Sequence, residues 1–550
     1  MGGSGGGNEG GSGGTGGEGG TGGTGGTGGT GGTGGTGGTG GGHEPVEINW
    51  ETCDLYMVGE AECATLKMPL DRDDPASPEI DFFVRRIRTD GESRGQLWLL
   101  EGGPGVNGGQ LGYYARSIFD DLGFDIYMPD YRGVGRSAPL SCGNNDESLS
   151  TRCMNQLEAR YGEGLARFST SEAVRDIGEA IQLFKRPGEE VFVWGTSYGT
   201  ATGHRFLHLF PDLADGVILD SACGKDGCDL VHADVDLNAN AKDFADLCAA
   251  DEFCRGKLGA DPWAKFADVL DRVDSGHCSQ AFDSADPAWI RPLLAQLMGP
   301  LDMPALGTAL VYRLDRCTAA DAAAIENFLY VLLNATQGWV IMDNVERSDL
   351  LYYQIVKNEF WDESYTTAFV RELNRDLVVY SGSVEYFPDL FDWWPWPSYE
   401  VPAELRVWAD VDTPVLILNG TLDAQTREER MIDAREAFTK PNQHVVIVPY
   451  ANHGILFSGS NDVNPRQNCG ARITRQFLTD PTSTLDLGCL AELEPPRFDV
   501  VQYQEAWFGS PDLYENVQTK TAAKAAPVID DPLLQAKLAR MRAELRRVIR

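Results

Sequence analysis

One short run among the 550 residues has the makings of a nucleophile: Gly195-Thr196-Ser197-Tyr198-Gly199. It follows an apolar run at residues 191–194 and precedes residues 200–209, which read as a helix. A GxSxG pentapeptide between a strand and a helix is a nucleophile elbow. The turn is so tight that small residues must flank the serine, whose hydroxyl then stands above the edge of the sheet. A serine hydroxyl attacks only if a base removes its proton, so a histidine has to lie near it. Of the seven histidines, His204 and His208 sit on the helix behind the elbow, His232 and His277 fall in a later helical region, His43 lies in a glycine-rich leader and His444 begins a strand. His453 stands in Tyr450-Ala451-Asn452-His453-Gly454, a loop at the C-terminal end of a strand at 445–448. That is the sheet end where ligands bind in parallel α/β folds.

An acid is needed to orient the imidazole, and in such folds it comes between serine and histidine in the chain. Asp423, just past the strand 415–418, has that place and would hold the correct tautomer of His453. Asp410 and Asp412 precede the strand and sit at its wrong end, while Asp220, at the end of an earlier strand, is the alternative. Taken singly, each is as ordinary as any surface carboxylate; order and strand-end placement together select Ser197, Asp423 and His453. The charge that develops on the reacting carbonyl oxygen needs two backbone N–H donors. Tyr198, next after the nucleophile, supplies one, and Glu101-Gly102-Gly103-Pro104-Gly105, after an early strand, supplies the other, with Gly103 the favoured donor. No lysine or GxGxxG pattern follows those glycines, so a phosphate-binding loop is not indicated. The chemistry is acyl transfer, with no metal or cofactor required.

These groups must be held by a sheet. Residues 80–87, 97–100, 126–128, 191–194, 217–219, 415–418 and 445–448 read as strands, and residues 171–184 as an amphipathic helix. Alternating strands and helices imply an α/β fold, a mostly parallel central sheet covered on both faces. Residues 223–403 interrupt it. They are rich in Ala, Leu and Asp, have helical periodicity and no convincing strand, and carry Trp339, Trp361, Trp393, Trp394 and Trp396 towards the end. The expected organisation is a tether at 1–43, a core at 44–222, a helical cap inserted between nucleophile and acid at 223–403, the rest of the core at 404–505 and a C-terminal extension at 506–550. The last of these contains a basic amphipathic helix, read as docked on the body rather than on a membrane.

Composition narrows the setting. The leader holds 28 of the 64 glycines in Thr-Gly-Gly repeats that have nothing to bury, hence a flexible tether. The net charge of −36 repels a phosphate backbone and argues against nucleic acid as a partner. Twelve cysteines form no CxxC pair, which disfavours a structural zinc site. Six disulfides between sequence neighbours are the simplest arrangement and would place the mature protein outside the cytosol; buried free thiols are the alternative. No run of 18 apolar residues suggests a membrane-spanning helix. No hydrophobic export signal is visible before the tether, which leaves the mode of export and any envelope anchoring through the tether open.

The segments Leu99-Leu100-Glu101-Gly102-Gly103-Pro104-Gly105 and Asp130-Tyr131-Arg132-Gly133-Val134-Gly135-Arg136-Ser137, followed by GTSYG, resemble the proline iminopeptidase and tripeptidyl aminopeptidase family of α/β-hydrolases over about residues 50–222 and 400–492. The resemblance implies a secreted or cell-envelope serine exopeptidase releasing short units from peptide N-termini, its pocket shaped by a helical cap. It also implies an acidic cap residue for the substrate's free amine. Glu359, in a segment where many relatives carry cysteine at the position of Lys357, is the candidate. The 30 acidic and 13 basic residues between Lys225 and Glu400 agree with a cationic substrate terminus. Two other readings stay open: an esterase or lipase acting on small acyl esters with the same triad, and a tethered binding protein that keeps the fold without catalysis.

Overall fold

The computed structural model describes residues 48–55, 58–142, 149–282, 286–334, 347–458, 465–517 and 538. The Gly/Thr leader, Trp339 and, apart from Leu538, the basic C-terminal helix lie outside them.

Nine strands form one sheet: β1 (Glu51–Leu55), β2 (Gly59–Pro69), β3 (Glu79–Ile87), β4 (Gly95–Leu100), β5 (Phe124–Pro129), β6 (Glu190–Thr196), β7 (Gly216–Asp220), β8 (Val415–Gly420) and β9 (Gln443–Val448). Their spatial order is β1-β2-β3-β5-β4-β6-β7-β8-β9. The first three pairings are antiparallel and the five from β5 to β9 are parallel. The expected strands all appear, at near-identical bounds; the central parallel ones, buried on both faces, show as continuous apolar runs. Strands β1 and β2 were not expected. They lie at one side of the sheet, where β2 buries Ala61, Cys63 and Ala64 and then alternates buried Leu66 and Met68 with exposed Thr65 and Lys67, so no continuous apolar run marks it.

Alternation along the central strands sends side chains to two apolar layers. Trp98, Leu100, Val191, Val193, Val217, Leu219, Val415 and Ile417 face one layer, with the helix Thr170–Phe184 and the elbow helix Tyr198–Leu209 packed on it. Leu97, Leu99, Phe192, Trp194, Ile218, Leu416 and Leu418 face the other, against the helices Gly112–Phe119 and Cys469–Thr479. A hydrophobic stripe on each helix therefore has a sheet face to bury it.

Between β7 and β8 the described elements are all helical. Their packing divides in two. Helices from Ala233–Ala250 to Ala319–Asn334 build a core of their own, joined by Phe498, Trp507, Phe508 and Tyr514 from far along the chain. The returning segment is fastened by Arg313, fully buried, which donates to the Leu513 carbonyl and to Asn516 Oδ1, both at 2.6 Å. The second part, with helices Asp349–Ile355 and Phe387–Trp393, contributes Tyr353, Phe387, Trp394 and Trp396 to the sheet-side core. The tryptophan-rich stretch thus anchors this part of the insert to the sheet-side layer.

All twelve cysteines are paired, each with its neighbour in sequence: Cys53–Cys63, Cys142–Cys153, Cys223–Cys228, Cys248–Cys254, Cys278–Cys317 and Cys469–Cys489. Cross-links of this kind persist in oxidising compartments. Among the described residues no helix is long and apolar enough to cross a membrane.

Candidate active site

Strand β6 ends at Thr196 and the next helix begins at Tyr198, so Ser197 alone makes the turn. Its backbone is at φ 56°, ψ −126°, a region that costs a non-glycine residue about 1–3 kcal/mol. Surrounding hydrogen bonds hold it there. Its amide donates to the Asp220 carbonyl at 3.0 Å, and its carbonyl accepts from the Thr200 amide at 2.8 Å and the Thr200 hydroxyl at 2.6 Å. The flanking glycines are required by space. A Cβ on Gly195 would stand 2.1 Å from the Gly199 carbonyl oxygen, and one on Gly199 would stand 2.0 Å from that of Leu100.

The glycine loop after β4 runs directly over this turn. A Cβ on Gly102 would lie 3.1 Å from Ser197 Cβ and 3.5 Å from its Oγ. The Gly102 amide is engaged by the Glu101 carboxylate at 2.9 Å. The amides of Gly103, in this loop, and Tyr198, next after Ser197, donate to no group among the described residues, so both stay open as candidate donors to an oxyanion. Gly103 adopts φ 117°, which a side chain would disfavour. The loop is propped from behind by the Asp130–Ser137 segment. Asp130 accepts from the amides of Gly108 at 3.0 Å and Arg136 at 2.9 Å, and Arg132, fully buried, grips Asp176 through two nitrogens at 2.8 and 2.7 Å. These charged motif residues support the loop and are consumed by their own partners.

Asp423 and His453 follow β8 and β9. His453 Nδ1 lies 2.9 Å from both carboxylate oxygens of Asp423, so this nitrogen carries the proton and donates it. Asp423 is buried and also accepts from the amides of Gln425 and Thr426, each at 2.9 Å, and from the Thr426 hydroxyl at 2.8 Å. Burial alone would raise its pKa. The imidazole and the amides more than offset that and hold the carboxyl below its ordinary range, so it remains ionised at neutral pH. His453 Nε2 is buried with no hydrogen-bond partner among the described residues, leaving it the nitrogen available to accept a proton.

The end of β7 joins the loops. Asp220 receives the Ser197 amide on its carbonyl and the Ile455 amide on its carboxylate at 2.7 Å, while Ser221 Oγ receives the Gly454 amide at 2.8 Å. Asn419 links them to the acid loop, accepting from the Ala222 amide at 2.9 Å and donating to the Thr426 carbonyl at 2.7 Å. The insert is tied to the same loops. The Ser348 amide donates to the Gly105 carbonyl at 2.8 Å, and Asn452 donates to the Gly299 carbonyl at 2.7 Å.

Glu359 requires a correction. It was expected to meet a substrate amine, but the residue is only 3% exposed; Oε1 serves the protein's own donors and Oε2 is buried without a hydrogen bond among the described residues. Oε1 accepts from the Thr170 amide and the Tyr399 hydroxyl, both at 2.9 Å, and Oε2 lies 3.6 Å from the Arg205 guanidinium. Sequence reasoning also missed Thr426 and Asn452. Thr426 follows Asp423 by three residues, a spacing at which a carboxylate accepts from a nearby amide and hydroxyl, and that signal was readable.

A parallel sheet with a serine elbow after one strand, and acid and histidine loops after two later ones, defines the α/β-hydrolase fold. Two family models match the chain, one described as alpha/beta hydrolase fold over residues 97–251 and one as TAP-like protein over residues 392–487. The chain has the α/β-hydrolase fold and is a serine hydrolase. It is 25% identical over 513 residues to a tripeptidyl aminopeptidase of Streptomyces lividans, covering 82% of this chain and 87% of that protein. It is 27% identical over 294 residues to the serine protease Hip1 of Mycobacterium tuberculosis, covering 44% and 54%. A carboxylesterase B of the same species is 33% identical over 109 residues, covering 18% and 21%.

Proposed function

We propose that this serine hydrolase is an aminopeptidase of the prolyl or tripeptidyl type, cleaving peptide bonds near a free N-terminus, with Ser197 as nucleophile, His453 as base and Asp423 as the orienting acid. The observation that carries the peptide reading is the likeness to a tripeptidyl aminopeptidase along most of both chains. The excess of acidic residues in the insert supports a substrate with a cationic end.

In the reaction, His453 Nε2 takes the hydroxyl proton as Ser197 Oγ bonds to the carbonyl carbon. The negative charge on the carbonyl oxygen is met by the amides of Gly103 and Tyr198. His453 then gives its proton to the leaving amine as the C–N bond breaks. Water attacks the resulting ester, passing a proton to His453, and collapse releases the acid and restores the serine. The six disulfides support a place outside the cytosol or in the cell envelope.

Fluorogenic amides carrying one, two or three residues, each with a free and with a blocked N-terminus, test this. Hydrolysis of free forms at least tenfold faster than blocked ones is expected. Equal rates, with faster cleavage of short acyl esters, would favour the esterase reading, towards which the carboxylesterase likeness over 109 residues points.

A further inference from the structure

A second carboxyl group lies beside the triad. Asp220 is completely buried at the end of β7, and among the described residues it is paired with no lysine or arginine. Its carboxylate accepts from two amides of the loop after the histidine, Ile455 at 2.7 Å and Leu456 at 3.4 Å. Its carbonyl accepts the amide of Ser197 at 3.0 Å. One residue therefore touches both the elbow and the histidine loop. The next residue, Ser221, repeats the bridge through its hydroxyl to Gly454, and holds a left-handed φ of 58° to do so. The charged and titratable groups that act on Asp220 are His453, which favours its ionised form, and Asp423, which opposes it.

Burial of an anion away from any cation is unfavourable unless something compensates. Two amides compensate in part, and burial still leaves the Asp220 carboxyl raised to about 6. A purely structural anchor could be neutral here: the amide oxygen of asparagine can accept the Ile455 N–H, giving up only the longer contact to the Leu456 amide. What a neutral side chain cannot supply is a second negative charge near the imidazole in a medium of low polarity, where charge interactions are strong.

Resting on the proposed roles of Ser197 and His453, we infer that Asp220 is a positioning residue for acyl transfer. It fixes the spacing of the elbow and the histidine loop, and its charge favours the imidazolium that forms when Ser197 gives up its proton.

The test is the rate at which a fluorophosphonate labels the full chain between pH 4.5 and 9, in the wild type and in Asp220→Asn. Removing a nearby negative charge lowers the proton affinity of an imidazole. The acidic limb should move down by roughly half to one pH unit, and the plateau rate should fall about three- to tenfold, which is the same interaction expressed as a rate. Ser221→Ala, which removes a loop contact but no charge, should slow labelling without moving the limb. An Asp220→Asn limb that stays in place, with rate lost only in proportion to unfolded protein, overturns the inference. If Asp220→Asn does not fold, Asp220→Ser is read in the same way. Absence of labelling in the wild type is a separate outcome that removes the Ser197 reading, and this inference with it.

Discussion

Replacing Asp423 by asparagine changes one atom and should remove most of the activity. Four donors converge on the Asp423 carboxylate. The amides of Gln425 and Thr426 both point at Oδ1, the Thr426 hydroxyl points at Oδ2, and His453 Nδ1 stands 2.9 Å from each oxygen. The asparagine oxygen must stay where the two backbone amides point, because an NH2 there would face two donors. The NH2 then takes the place of Oδ2, against Nδ1 of the imidazole. Nδ1 has to accept, the proton moves to Nε2, and Nε2 can no longer serve as base. A wrong tautomer of this kind costs about 10³–10⁴ in turnover, or roughly 4–5.5 kcal/mol of barrier. Fluorophosphonate labelling rates and peptide hydrolysis should both fall by that factor, with the circular dichroism spectrum unchanged. A folded Asp423→Asn protein retaining more than a tenth of wild-type activity would refute the reasoning.

Other consequences follow from the same contacts. Gly199→Ala places a methyl 2.0 Å from the Leu100 carbonyl oxygen, so a loss of about 3 kcal/mol or more, seen as a collapse of soluble yield or melting temperature, is expected. Glu359→Gln should lower the melting temperature by weakening the buried contacts to Thr170, Tyr399 and Arg205, about 1–3 kcal/mol, with KM for free-amine peptides unchanged within twofold; a large KM rise confined to free-amine substrates would restore it as an amine contact. Asp220 has a folded pKa raised from 3.8 to about 6, so the folded state binds the extra proton in that interval. Its stabilising contribution is complete below pH 3.8 and is lost as pH rises through about 6, roughly 3 kcal/mol in all. Denaturant melts of Asp220→Asn should therefore gain on the wild type by up to that amount between pH 4 and pH 7; a difference independent of pH contradicts it.

The candidate centre could be read from the sequence because it is made of local patterns. GTSYG lies between an apolar strand and a helix, and Asp423 and His453 each stand just past a buried parallel strand whose apolar run marks it. The disulfide pairs were legible because each joins sequence neighbours. What escaped depends on contacts between distant residues. Strand β2, one in from the sheet's edge, mixes buried and exposed residues and shows no continuous apolar run. Nothing in residues 498–514 foretells that Trp507 and Tyr514 return to the first part of the insert, because the partners of a long-range apolar contact have no fixed spacing. Glu359 was misjudged for the same reason: a carboxylate in an acidic region looks available until Tyr399 and Thr170 are found against it.

The most direct measurement is intact-protein mass spectrometry after reaction with a fluorophosphonate, followed by peptide mapping. A single adduct on Ser197, absent from Ser197→Ala, together with loss of hydrolysis in that variant at unchanged melting temperature, is the predicted result. An adduct on another residue, or a Ser197→Ala protein that hydrolyses peptides at the wild-type rate, would contradict the account.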